Sequence, residues 1–415
     1  PYAFCHHFTT YLVDRPEGFS RAEAESWETG DVSGQGKDVS VIMVMNEAFS
    51  DITDAPAFSW TPETDPLANL HALQEDPHAL SGHVVVPGFA GGTANTEFDV
   101  LTGMQTNALS ASTTSAMRVV NRNLDSLFRV FGNDGYETSF YHPGDNWFYN
   151  RENVYRWLGA EETRFVADME APEYKGRWVT DDYAAGLIEE AFEEAEAPLF
   201  HFTTTIQNHM SYTADKYGPD YPFPPTGVPG LSEEAETLLQ VYIEGVRDAD
   251  AMLGRLWRYF QAQSEPVVLV FFGDHLPYLG NDMLGYRQLG LDVFPGPEGQ
   301  ENPAAYETPY IIWANGAAAE ALDWDAAAAS LDLPEAVSAA FLGAAVLELT
   351  GRGEESPWFS FLNQLRRELP VVQKTLCQLA DGSLTDTGSL SGGQRELLRK
   401  WRSWSYYKLQ YKEVP

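Results

Sequence analysis

Four apolar runs in this chain stop on side chains that can bind a metal or move a proton. DVSVIMVMNEAF (38–49) carries Asn46 and Glu47, TSFYHPG (138–144) carries His142, PLFHFTTTIQNH (198–209) ends in Asn208 and His209, and PVVLVFFGDHLP (266–277) carries Asp274 and His275. A carboxylate at the end of such a run is costly to bury unless it is paired or metal-bound. Glu47, Asp274 and His275 form a mixed oxygen and nitrogen set that suits Mn2+, Zn2+ or Mg2+, and residue type does not choose among them. Thr93, in GFAGGTANTEFDVLTG (88–103), offers a fourth ligand. A hydroxyl on a divalent cation has a lowered pKa and becomes a nucleophile near neutral pH. Three roles compete for this stretch. A nucleotide loop is excluded, because GxxxxGK[ST] is absent and no lysine is near. A helix begun near Glu97 and capped by Thr93, Asn95 or Thr96 explains the spacing at least as well as a nucleophile does.

The elements that must carry these residues are legible in outline. The four runs above read as buried strands, as do HVVVPGF (83–89) and YETPYIIWANG (306–316). Helical stretches at 181–197 and 232–262 precede two of them. Strands alternating with helices predict an α/β fold with a mostly parallel central sheet flanked by helices. In such sheets ligands bind beyond the carboxyl ends of the strands, which is where the ionisable residues fall. The expected organisation is a leader or linker over 1–37, a catalytic domain over 38–330 and a smaller C-terminal α+β subdomain over 331–415.

Composition narrows the function. With 415 residues, 44% hydrophobic and 13% aromatic, the chain is globular. A formal charge of −35 argues against nucleic acid as a partner and favours cation binding. No run of about 18 apolar residues occurs, so no membrane-spanning helix is expected within these residues. The two cysteines, Cys5 and Cys377, exclude a disulfide framework and a cysteine zinc site, and are read as unpaired. The tail QRELLRKWRSWSYYKLQYK (394–412) carries six basic residues against one acid. Packing of this tail on the acidic body is the favoured role, ahead of contact with a membrane surface or anionic polymer. His201 sits inside an apolar strand and reads as core, and His6, His7, His71, His78 and His83 join no constellation.

The motifs MNEAFSD (45–51), GGTANTEF (91–98), YHPGDNWFYNR (141–151), TTIQNHMSY (204–212), FFGDHLPYLG (271–280) and ETPYIIWAN (307–315), taken together and in order, resemble the extracellular domain of lipoteichoic acid synthases. These are phosphoglycerol transferases of the sulfatase-like, alkaline phosphatase superfamily, and the resemblance spans about residues 38–370. It implies that Glu47, Thr93, Asp274 and His275 hold one metal, usually manganese, and that Thr93 is also the nucleophile. It implies that His209 contacts the substrate phosphate and serves the leaving group, and that His142 and Arg151 hold the glycerol phosphate. Tyr149 stands where the family often has Trp, as an aromatic lining the substrate pocket. The implied reaction moves glycerol phosphate from phosphatidylglycerol to a surface glycolipid or polymer through a phosphothreonine-type intermediate. It implies an anionic glycerophospholipid or glycerophosphate-polymer substrate and the outer face of a Gram-positive-type cell membrane. The abrupt start at Pro1 is what an ectodomain without its upstream membrane helices would show. A monomer is expected.

Rival activities separate unequally. A sulfatase would need Cys or Ser in a C/S-x-P/A-x-R motif, and the cysteines lie elsewhere. A phosphoethanolamine transferase of this superfamily typically carries several disulfides. A phosphodiesterase acting on glycerol phosphate of surface glycans or teichoic-acid-like polymers would use the same residues with water as acceptor, and is the main alternative. A binding protein built on a dead site fits poorly with an intact ligand set.

Overall fold

A computed structural model describes residues 13–29, 36–110, 115–296 and 301–414. Ten strands are relevant to the site: β1 (Ser40–Asn46), β2 (Ala79–Val85), β3 (Glu137–His142), β4 (Glu162–Phe165), β5 (Tyr174–Lys175), β6 (Trp178–Val179), β7 (Leu199–Thr204), β8 (Val267–Gly273), β9 (Glu307–Ala314) and β10 (Ala336–Ser338). Eight form one sheet in the order β10-β2-β9-β8-β1-β7-β3-β4, and β5 and β6 pair as a separate hairpin. Only β9 runs against its neighbours in that sheet. The sheet is mostly parallel, as expected, and the carboxyl ends of the other seven strands meet at one edge.

The central strands are apolar on both faces because helices cover both. Along β1, Val41, Met43 and Met45 join one core and Ile42 and Val44 the other, the alternation a pleated strand imposes. One face carries the helices Thr93–Thr102, Leu127–Asn133 and Arg151–Leu158. The opposite face carries Asp181–Glu194 and the long helix Glu233–Gln261, close to their expected bounds. The edge strands β4 and β10 were not expected. They have four and three residues, too few for a periodic signal.

The C-terminal region adds helices Ala339–Leu349, Pro357–Glu368 and Gly392–Gln410 and a small antiparallel sheet over 371–386. Its helices share the core on the Thr93 side of the sheet. The basic, aromatic tail is the last of these helices. Trp401 and Trp404 are buried, and Lys408 and Lys412 pair with Glu28 and Asp125. Glu28 follows the short helix Arg21–Ser26, within the stretch expected as a leader. Burial of the aromatics supplies the attraction and the paired acids satisfy the buried ammonium groups. Cys377 is buried with a free thiol, and Cys5, His6 and His7 lie outside the described residues.

Candidate active site

A cleft of about 640 Å³ opens at the carboxyl edge of the sheet and is lined by Glu47, Thr93, His142, Tyr149, Arg151, His209 and His275, among others. Asp274 lies buried directly behind it, so the tertiary structure gathers all eight of the expected residues. β1 and β8 are adjacent, with Asn46 opposite Gly273, and this register places Glu47 beside Asp274 and His275.

The last three residues form a buried group that could hold a cation. Nδ1 of His275 donates to the Leu276 carbonyl at 3.0 Å, so Nε2 carries a lone pair. That lone pair faces Asp274 Oδ2 at 3.2 Å and Glu47 Oε1 at 3.6 Å. Asp274 Oδ1 accepts the Ala48 N–H at 2.7 Å, while Oδ2 is buried without a hydrogen-bond donor. Three ligand atoms thus lie within 4.8 Å of one another. Burial and the Asp274 carboxylate push the Glu47 carboxyl well above its ordinary range. A divalent metal fits this donor set and would relieve the repulsion.

Thr93 reaches the cleft through local geometry that the sequence only half discloses. The helix begins at Thr93 itself, four residues earlier than expected, with Gly92 as its N-cap. Gly91 and Gly92 have φ of +147° and +98°, open to glycine and strained for other residues. Ala90, at φ +55°, shares this turn, and its N–H donates to the Leu276 carbonyl at 3.1 Å. Thr96 Oγ1 donates to the Asp274 carbonyl at 2.8 Å. Both bonds tie the helix start to the end of β8. The free N–H groups of that first turn favour an anionic oxygen.

Three histidines line the cleft in one tautomeric arrangement. Nδ1 of His142, His209 and His275 each donates to a main-chain carbonyl, leaving Nε2 as the other ring nitrogen. Burial, reinforced by Arg151, holds His142 well below its ordinary pKa, so its Nε2 accepts a hydrogen bond at neutral pH. Burial also lowers His209. His142 therefore brings no positive charge to the cleft at neutral pH.

Arg151 is likewise neutralised. Its Nε and Nη2 bond to Glu97 at 2.6–3.1 Å, and Tyr155 adds a hydroxyl bond at 2.9 Å. Arg151 also lies 5.1 Å from the centre of the Tyr149 ring. Glu97 stands one helical turn from Thr93, so this pair couples the Thr93 helix to the His142 wall of the cleft. Its role was missed, although an acid within the apolar run before Phe98, Val100 and Leu101 signals a buried cationic partner. Glu97→Gln is expected to cost about 3–5 kcal/mol, because it leaves a guanidinium buried without its counter-charge. Urea unfolding followed by circular dichroism measures this.

Two other histidines have structural partners. His201 is fully buried between Ser139 and Thr203. His71 does have a constellation, contrary to expectation: it bridges Asp65 at 2.7 Å and Asp51 at 3.3 Å, away from the cleft. The cleft rim also holds Trp147 and Tyr278, which lie within two of the motifs without an assigned role, and Tyr174, Arg177 and Trp178, which no motif includes.

A family model described as Sulfatase matches residues 40–351. A putative cyclic beta-1,2-glucan modification protein of Rhizobium meliloti (strain 1021) is 32% identical over 278 residues, which are 66% of this chain and 42% of that protein. This chain spans less than half the length of the curated relatives it matches. Among solved structures, the Streptococcus pyogenes phosphoglycerol transferase GacH in complex with sn-glycerol-1-phosphate superposes with a TM-score of 0.71 at 20% identity, covering 96% of this chain and 95% of that one. The lipoteichoic acid synthase LtaP of Listeria monocytogenes gives a TM-score of 0.62 at 18% identity, covering 95% and 99%. At these identities the two structures establish the fold.

Proposed function

The chain belongs to the sulfatase family, within the alkaline phosphatase superfamily, and from that premise we propose that it transfers glycerol phosphate from phosphatidylglycerol, or a related glycerophosphate donor, to a hydroxyl of a surface glycan, glycolipid or polymer. The observation that carries this is a helix-start threonine in the same cleft as a buried cluster of three potential metal ligands, Glu47, Asp274 and His275. Sulfate-ester cleavage is set aside, because the chain has no C/S-x-P/A-x-R motif at its cysteines.

Glu47, Asp274 and His275, with the Thr93 hydroxyl, would hold one divalent metal, with manganese favoured over magnesium or zinc. When bound, such an ion supplies positive charge for the phosphoryl oxygens and lowers the pKa of a nearby hydroxyl. Thr93 Oγ attacks phosphorus as the bond to the diacylglycerol oxygen breaks, its own proton passing to solvent. His209 delivers a proton to that leaving oxygen, the bound phosphate favouring the charged imidazole that burial alone disfavours. In the second step the acceptor oxygen displaces Thr93 Oγ from phosphorus, and His209 takes the acceptor's proton. His142 Nε2 accepts from a glycerol hydroxyl, while Arg151, aligned by Glu97, faces the phosphate. The N–H groups of the first turn after Gly92 bind its anionic oxygens. The reaction is assigned to the outer face of a cell membrane, where both substrates would meet.

The test is to incubate the protein with a fluorescent phosphatidylglycerol and Mn2+ or EDTA, with and without a glucan oligosaccharide. Metal-dependent release of diacylglycerol, with glycerol phosphate on the glucan, is expected. Release of free glycerol phosphate alone would make the protein a phosphodiesterase. No release from any glycerophosphate donor would overturn the assignment.

A further inference from the structure

We propose that the β5–β6 hairpin is the acceptor side of the cleft, where Tyr174, Arg177 and Trp178 seat a sugar ring with one hydroxyl directed at phosphorus beside His209. It rests on the phosphoglycerol-transfer reading above and specifies the acceptor's position and class.

The cleft has two walls. His142, Tyr149 and Arg151 come from the end of β3 and the helix that follows. The hairpin supplies Tyr174, Arg177 and Trp178. In-line displacement places the attacking and leaving oxygens on opposite sides of phosphorus. With Thr93 on one side, the departing diacylglycerol oxygen and the later acceptor oxygen must use the other in turn. His209 handles the proton of both, so it marks that side. The Trp178 ring lies against it, with centres 4.9 Å apart. The glycerol of the transferred group stays on the opposite wall.

The hairpin is built to hold a position. Its turn residue Gly176 has φ +66°, and a Cβ there would come within 2.1 Å of the Lys216 carbonyl. Lys175 Nζ bonds Glu244 and Asp248 at 2.8 and 2.5 Å. Lys216 Nζ in turn donates to the His209 carbonyl at 2.8 Å. One short segment thus fixes both the hairpin and the histidine it serves.

The exposed chemistry suits a carbohydrate. Tyr174 is 55% exposed, and the Arg177 guanidinium lies 4.4 Å from the centre of the Trp178 ring. Flat aromatic faces match the C–H face of a sugar, and the phenol and guanidinium match its hydroxyls. An anionic lipid surface would instead call for a basic cluster. The hairpin offers two cations, of which Lys175 is bound to acids, on a chain of net charge −35.

In the second step the sugar oxygen forms a bond to phosphorus, the Thr93 Oγ–phosphorus bond breaks, and the sugar proton goes to His209 Nε2. Water competes for the same intermediate. The ratio of glucan-bound to free glycerol phosphate therefore reports acceptor seating independently of donor cleavage. With fluorescent phosphatidylglycerol, Mn2+ and a β-1,2-linked glucan oligosaccharide, that ratio is expected to fall about tenfold in Trp178→Ala and about threefold in Arg177→Ala. Arg177 is exposed, so its variant keeps the fold. Calorimetric binding of the same oligosaccharide in the absence of lipid should weaken by similar factors. This arm separates failure of acceptor seating from failure of the lipid donor. Unchanged ratio and affinity in both variants, no oligosaccharide binding by the parent protein, or hairpin-dependent binding to anionic vesicles in its place would each overturn the proposal.

Discussion

Thr93→Ala is expected to lower turnover by about 10⁴-fold or more, the scale seen when an attacking atom is removed from a preorganised site. Stability should stay within about 1 kcal/mol of the parent. Gly92, not Thr93, is the N-cap of the helix, and the Thr93 hydroxyl has no hydrogen bond among the described residues. Loss of the side chain therefore removes no cap and strands no partner. Thr93→Ser keeps the oxygen and should retain activity within about tenfold. Diacylglycerol release gives the rates. Mass spectrometry of protein quenched with donor should show a glycerol phosphate adduct on Thr93 in the parent and none in Thr93→Ala. Near-parental turnover by the alanine variant would place the nucleophile elsewhere.

Metal removal should be nearly as damaging, and it carries a pH signature. Chelation is expected to lower turnover by about 10³-fold or more, restored by Mn2+. In the metal-free fold Glu47 has a raised pKa, from burial and then from Asp274. An acid whose folded pKa is raised contributes stability below its unfolded value of about 4.3, and that contribution is lost as pH rises through the folded value. The thermal midpoint of stripped protein should therefore fall across the range in which pH rises above the ordinary carboxylate value, because Glu47 must ionise next to Asp274. Glu47→Gln should flatten this slope in stripped protein while abolishing metal-dependent turnover. Added Mn2+ should raise the midpoint of the parent most at the upper end of the range. Superimposable midpoint profiles with and without metal would show that these residues hold no ion.

How far each feature could be read in advance depends on the range of the force behind it. Six strands and two long helices were legible because burial of apolar faces leaves a periodic mark on neighbouring residues. Short elements leave no such mark: β4 and β10 extend the sheet at its edges, and β5 and β6 have two residues each. The Thr93 helix was placed too late because its start is set by left-handed glycines, not by a capping side chain.

The residues expected as metal ligands and substrate contacts were legible as strand ends and loop residues, and the fold brings them to one cleft. Their electrical state was not legible. Nothing in the residues around Arg151 shows that Glu97, 54 residues earlier, neutralises it. Nor does the stretch around His142 show that burial keeps its ring neutral. Residue type and local pattern were enough to point to a metal site at the carboxyl edge of the sheet, since both follow from side-chain chemistry and short-range hydrophobic periodicity; the transfer reaction itself was suggested by the family resemblance. Strand order, the antiparallel insertion of β9, the Glu97–Arg151 pair and the hairpin beside His209 depend on contacts between distant segments. Those contacts arise from packing and desolvation in three dimensions, and no local stretch of residues encodes them alone.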